Sequence, residues 1–369
     1  QEPTNSKNEK TEEEAQKILN NTNVVVPAQN SNAPANAPQI MKETRMESKF
    51  STRKKAKRDQ IEQFEVLSQQ FRVLHSAKRK NRTRRTFSAS EKTEMEGILR
   101  QMMVMGPKSH STQLAYYQVG QHDLQRGVSL VKAYESNVAD PEVIKNMAIY
   151  YHLMGKEKES RNFVRTIFSR GIIAPELSQF SKDLLLSCAP NSILIVHAEE
   201  DALAALYAQE ILKTREDVQV ISLDWLNSPQ YKAKLKASGI KLPASAIINT
   251  SYLKEFCVLN ESKRIALSTT LPREYLKPMI KNLYLTGLVF RVQADVMDYS
   301  DENKRLYQSL KMDLVDRPNH PVSKNYLPFL LQVQQENHSE KDINKEQLKQ
   351  RITKLVSANK LERKMSDLR

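Results

Sequence analysis

The sequence has 369 residues, 39% of them hydrophobic, with 57 Lys and Arg against 43 Asp and Glu for a net charge of +14. That length suits two or three domains at ~150 residues each, and the hydrophobic share supports a core along only part of the chain. No apolar run approaches the ~18 residues of a membrane-spanning helix, the two cysteines lack any zinc spacing, and the positive excess favours an acidic partner: nucleic acid, anionic lipid or an acidic protein face.

Residues 1–40 are rich in Asn, Pro, Ala, Gln and Glu ("VVVPAQNSNAPANAPQ"). They bury too little apolar surface to offset ordering entropy and read as a disordered tether. The start at Gln1 fits a removed signal peptide or a trimmed terminus, so export to a periplasmic or envelope location is expected.

Residues 41–87 form a basic arm, and positions 41–90 hold 15 Lys and Arg against five acids. The clusters "STRKKAKRD" and "SAKRKNRTRR" put Lys54, Lys55, Lys57, Arg58, Lys78, Arg79, Lys80, Arg82, Arg84 and Arg85 forward as the partner-binding surface. Its targets are a protein partner first, then an anionic envelope surface. Nucleic acid comes last, because the clusters lack interleaved aromatics for base stacking. Within the arm, Ile61, Phe64, Leu67, Phe71 and Leu74 recur at helical spacing and predict one amphipathic helix.

Helix follows helix over 88–189. "SASEKTEMEGILRQMMVM" carries a Ser-x-x-Glu capping pattern and Asp140 precedes Pro141, the preferred order at a helix start. Tyr116 and Tyr117 recur as Tyr150 and Tyr151, 34 positions later, and Gly120 recurs as Gly155. This period predicts an all-α, tetratricopeptide-like helical repeat.

From 190 to 297 the period changes. "SILIVH", "DVQVISL", "ASAIINT", "KRIALST" and "GLVFRV" read as strands alternating with helices, which predicts an α/β open, mostly parallel sheet of Rossmann-like type. Charged helices return over 298–369. Cys188 and Cys257, in "LLLSCAP" and "LKEFCVL", read as buried small hydrophobes, with a disulfide between them left open.

His197, Glu199, Glu200 and Asp201 follow the first strand, where open α/β sheets bind ligands. The acids could ligate a divalent cation or work with His197 as general acid and base in a sugar-handling or metal-dependent enzyme. Alternatively, they cap the helix, since acids in a first turn meet its positive end at ~0.3–1 kcal/mol each. The cap is favoured, because no glycine-rich phosphate turn follows the strand and no nucleophile elbow or His-Glu-x-x-His occurs. No catalytic residue, cofactor or metal is expected.

The stretch from Ala198 to Leu235 resembles the C-terminal soluble module of a family of polytopic membrane proteins, common in Bacteroidota and related to protein O-mannosyltransferases. The likeness is carried by Glu199, Glu200 and Asp201, by Tyr207, Gln209 and Glu210, by Arg215, Asp217 and Val218, and by Leu226, Asn227, Ser228 and Tyr231. "KRIALST" at Lys263 and Arg264 and "LYLTGLVFRV" at Gly287, Leu288 and Arg291 extend it. Of the family's Gly-Asp-Asn-Asp-Thr run only Asp201 is unchanged, and no membrane-embedded half is present. The resemblance therefore implies a place outside the cytoplasm beside a membrane complex, with tetratricopeptide helices, and no transfer of catalysis. The expected function is a non-catalytic adaptor or structural subunit of a bacterial cell-envelope complex for secretion, motility or glycoconjugates. Nucleic-acid binding through the arm, or an enzyme at 197–201, is the alternative.

Overall fold

The computed structural model describes residues 41–336 and 343–361, without the side chains of 41–53 and of Lys78. The tether expected over 1–40 lies outside the described residues. The chain divides into two compact units between Arg58 and Asp59. The first is described from residue 41, where the chain is helical. The sheet and every helix after the first belong to the second, Asp59–Arg369.

The described chain is mostly helical, with one small mixed sheet of five strands. Helix α1, Met41–Arg79, occupies most of the segment expected as a basic arm. Six helices follow: α2 Ala89–Met105, α3 His110–Val119, α4 Gly127–Ser136, α5 Pro141–Leu153, α6 Glu157–Ser169 and α7 Pro175–Leu186. Their starts are chemically explicit. Ser88 and Glu91 close a reciprocal capping box at α2, and Asp140 accepts the free amides of Glu142 and Val143 ahead of Pro141 at α5.

The sheet region runs β1 Ile193–Val196, α8 Glu199–Glu210, β2 Gln219–Ser222, α9 Pro229–Ala237, α10 Thr250–Leu259, β3 Ile265–Ser268, α11 Arg273–Leu276, β4 Leu283–Thr286 and β5 Val289–Val292. Four more helices close the chain: α12 Ser300–Ser309, α13 Asp313–Asp316, α14 Leu327–Glu336 and α15 Lys345–Ala358. Strand order is β2-β1-β3-β5-β4. Leu194 of β1 sits opposite Val220 on one side and Ala266 on the other, both in parallel register. Every residue of β1 and β3 is buried, as central parallel strands covered on both faces require.

Two expectations about the sheet are corrected. It is mixed and not mostly parallel, because β5 pairs antiparallel with both β3 and β4. Only Gly287 and Leu288 separate β4 from β5, too few residues for a crossover, so the chain must turn back as a hairpin. Gly287 has φ +57°, and a Cβ there would lie 2.3 Å from Ser187 Oγ. That hydroxyl accepts the Leu288 amide, tying the hairpin turn to the residue after α7. The second correction is "ASAIINT", which forms no strand beyond one bridge between Asn249 and Arg84. Asn249 instead caps α10, its side chain accepting the Tyr252 amide.

The largest apolar cluster joins Leu153, Val164, Phe180 and Leu184 of the helices to Leu194, Ile195 and Leu267 of the sheet and Phe329 and Leu355 near the C-terminus. A second cluster, Phe71, Phe87, Met95, Leu99, Met102, Ala115 and Val119, receives the α1 face. Phe64, Leu67, Phe71 and Leu74 turn toward it as the helical spacing predicted, whereas Ile61 is 52% exposed. Burying Phe71, 1% exposed, stabilises the seat by roughly 1.5–3 kcal/mol. The residues beyond the helix, 80–87, continue onto the body.

Three of the four repeated tyrosines form one aromatic group, while Tyr116 packs against the Phe71 cluster with Arg126 over its ring. Tyr117 meets Tyr150 edge to face at 6.4 Å, and Tyr151 stacks on Phe163. Gly120 and Gly155 differ in role: Gly155 ends α5 at φ +75° while Gly120 is right-handed at φ −70°. Cys188 and Cys257 are separately buried free thiols, each pushed up to about 12 by burial. Among the described residues no helix is long and apolar enough to cross a membrane.

Candidate functional site

The carboxyl ends of β1 and β2 deliver Glu199 and Asp224 into the interior, 7% and 4% exposed. The reason is local: each parallel strand ends and the chain turns directly into a helical segment, α8 after β1 and the short 3-10 turn Trp225–Asn227 after β2. Two buried carboxylates side by side need cations, and the basic segment supplies them. Arg85, 8% exposed, forms a two-pronged pair with Asp224, Nε to Oδ1 at 2.7 Å and Nη2 to Oδ2 at 2.8 Å. Arg79 bridges the acids, paired with Glu199 and 3.2 Å from Asp224. His122 Nε2 lies 2.6 Å from the same Glu199 carboxylate.

Electrostatics follow the geometry. Burial alone would raise Glu199, but the charges of Arg79 and His122 outweigh it and hold the carboxyl far below its ordinary value. Asp224 is likewise opposed by burial and held low by Arg85 and Arg79. Both guanidinium groups rise despite burial because the two acids face them. His75, beside them, is lowered to about 4 by burial and then by Arg79. The cavity lined by these groups measures about 20 Å³, room for roughly one water.

The acids weighed at 199–201 therefore divide. Glu199 is an internal ion-pair partner. Glu200 reaches outward to Lys145 Nζ at 3.0 Å. Asp201 behaves as a cap, accepting the Ala198 amide and the Thr270 hydroxyl at 2.9 Å, and burial lifts its pKa to about 6. His197 stands apart with its ring against Tyr275, its Nε2 buried without a hydrogen bond, and its pKa lowered to about 4 by burial and Arg85. Among the described residues no group of three metal-ligating side chains comes together. Glu200→Ala should change unfolding free energy by less than ~1 kcal/mol in urea titrations, since the pair is half in solvent.

The other motif residues lie at two ends of the sheet. Asn227 joins the buried network, accepting the Thr86 hydroxyl at 2.6 Å and donating to the Arg85 carbonyl. Gln209, Arg215 and Asp217 sit at the opposite, amino ends of the strands. Gln209 donates to the carbonyls of Arg215 and Val218; Arg215 pairs with Asp217 and binds the carbonyls of Leu185, Cys188 and Ala189. Tyr207 packs against Phe168 at 4.2 Å. These four hold the α8–β2 connection and are not among the residues that line the cavity at Glu199.

Of the basic residues expected to face a partner, Arg79 and Arg85 face inward, Arg84 pairs with Glu91 at 2.7 Å, and Arg82 reaches Glu274 at 3.5 Å. Lys54, Lys55, Lys57, Arg58 and Lys80 are exposed, and the Lys78 side chain lies outside the described residues. Asp224, His122, His75 and Gln121 were not singled out from sequence. Asp224 follows strand "VISL" directly and could have been found by the strand-end rule; His122 sits in a turn at φ +66°, which no local pattern announces.

No curated protein and no solved structure matches the chain. The family described as TMEM260-associated domain 2 matches residues 177–365, from α7 through the last helix and thus beyond the 190–297 span of the sequence likeness. That match takes in the sheet, Glu199, Asp224 and the C-terminal helices, and covers just over half of the sequence: the chain belongs to the TMEM260-associated domain 2 family.

Proposed function

We propose that the chain is a non-catalytic adaptor or structural subunit of a membrane-protein complex at the bacterial cell envelope, acting by recognition. One observation carries this reading. The acids best placed for chemistry are spent on internal partners, whereas Lys54, Lys55 and Lys57 stand exposed on α1 with no ion pair among the described residues. A lysine face of this kind attracts an acidic protein surface first and steers its approach. The helices from 89 to 186 act as a tetratricopeptide-like support, and the β2-β1-β3 core acts as a Rossmann-like one. The family likeness supports a periplasmic or envelope address.

The test is charge reversal, Lys54→Glu with Lys55→Glu and Lys57→Glu, in tagged chain recovered from its own envelope fraction. A defined set of membrane proteins is expected with the unaltered chain and a loss of at least ~10-fold with the variant, with recovery falling as salt rises. Equal recovery from both would overturn the reading.

A further inference from the structure

Residues 85–87 are held as a bound peptide is held. The backbone is read on both sides: the Arg85 amide donates to the Ile248 carbonyl at 2.7 Å, the Arg85 carbonyl accepts from Gln121 and Asn227, and the Phe87 amide donates to Gln121 Oε1. Each side chain has its own receptor. Arg85 is clamped by Asp224. The Thr86 hydroxyl donates to Asn227 and accepts the Ile248 amide at 2.9 Å. Phe87, 9% exposed, enters the small apolar cluster edge-on to His75.

Fixing the backbone by hydrogen bonds while pockets receive the side chains is a usual means of binding a peptide segment; here one main-chain pair and three side-chain amide bonds do the first. This groove lies at the carboxyl end of β2, where open sheets place ligands. The Phe87 pocket belongs to the smaller cluster and not to the main core, so vacating it leaves the sheet packing intact.

We propose that this groove is a peptide-docking site for an extended segment carrying arginine, a hydroxyl residue and an aromatic residue in succession, with residues 85–87 as its tethered, displaceable occupant. A competing partner meets a tethered occupant at millimolar effective concentration, so binding in trans requires a partner already gathered nearby. The groove shares no residue with the Lys54–Lys57 face, and either can fail without the other.

The probe is a blocked peptide with the sequence of residues 81–87, added to full-length Arg85→Ala chain and followed by fluorescence anisotropy. Saturable binding is expected, weakened at least ~10-fold when alanine replaces the peptide arginine aligned with Arg85, or when the chain also carries Asp224→Asn. Absence of binding to folded Arg85→Ala chain overturns the proposal. Should that variant not fold, amide exchange on the unaltered chain decides. Arg85 and Phe87 amides are expected to exchange ~100-fold faster than those of Leu194 and Ile195, through local opening. Equal rates would overturn displaceability, because the segment would then leave only on global unfolding.

Discussion

Asp224→Ala is expected to lower unfolding free energy by about 3–5 kcal/mol. Removing this carboxylate leaves the Arg85 cation buried without its hydrogen-bonded counter-charge, attracted only by the more distant Glu199, and strips Arg79 of one of its two acids. Arg85 keeps only carbonyl partners, Arg79 and Asn81, at 2.8 and 3.3 Å. Most of the loss is the cost of an unpaired buried charge and not the worth of the pair itself. The double variant Asp224→Leu with Arg85→Met should therefore recover most of it, since apolar groups of similar volume need no counter-charge. Urea unfolding of the Asp224→Leu and Arg85→Met single variants beside the double gives the coupling directly. A single-variant loss under ~1 kcal/mol would show the pair to be hydrated and its ends loosely held.

This pair also marks where sequence reading stopped. Local chemistry was legible: the Ser88–Glu91 box, the Asp140–Pro141 start and the strands β1, β2, β3 and β5 lie where spacing put them. So did the apolar stripe of α1, apart from Ile61. Each rests on contacts within a few residues, which periodicity records. Arg85 and Asp224 are 139 positions apart, and charge counting cannot tell an arginine that turns inward from a lysine that stays in solvent. The basic run thus read as a surface for an outside partner and the acidic turn as a helix cap, although Arg79 and Glu199 answer one another inside one fold. The "ASAIINT" error has the same origin: apolar residues and a β-branched run suggest a strand, but pairing requires a neighbour, and Asn249 is committed to the α10 cap. Gln209, Arg215 and Asp217 read as parts of one motif, yet a motif does not say which end of the sheet it serves.

Acid should destabilise this protein before Glu199 and Asp224 are protonated. His75, His152 and His197 are each lowered from 6.5 to about 4, chiefly by burial, helped by Arg79 at His75, Lys234 at His152 and Arg85 at His197. The folded chain therefore keeps them neutral through a window in which the unfolded chain binds three protons. Where the unfolded state binds more protons, stability falls as pH falls. The loss begins near 6.5 and runs down to about 4, at most about 3 kcal/mol per histidine and least for the two less completely enclosed, His152 and His197. Asp201 works the other way: raised to about 6, it takes up a proton on folding and returns part of the loss as pH drops below 6. Groups around His75 do not reverse the sign, for Glu142 and Glu199 raise it less than burial and Arg79 lower it. Below about 4.5, Glu199 and Asp224 add their own loss, because their depressed folded values make their ionised pairs the stabilising form. Unfolding free energy measured in urea at pH 7.5 and at pH 5 should differ by roughly 3–6 kcal/mol. His75→Gln should shrink that difference by about 1–2 kcal/mol, since an uncharged side chain takes up no proton at either pH. An unchanged difference in His75→Gln would mean that His75 is already hydrated in the folded chain, with the seat of α1 on the body open to water.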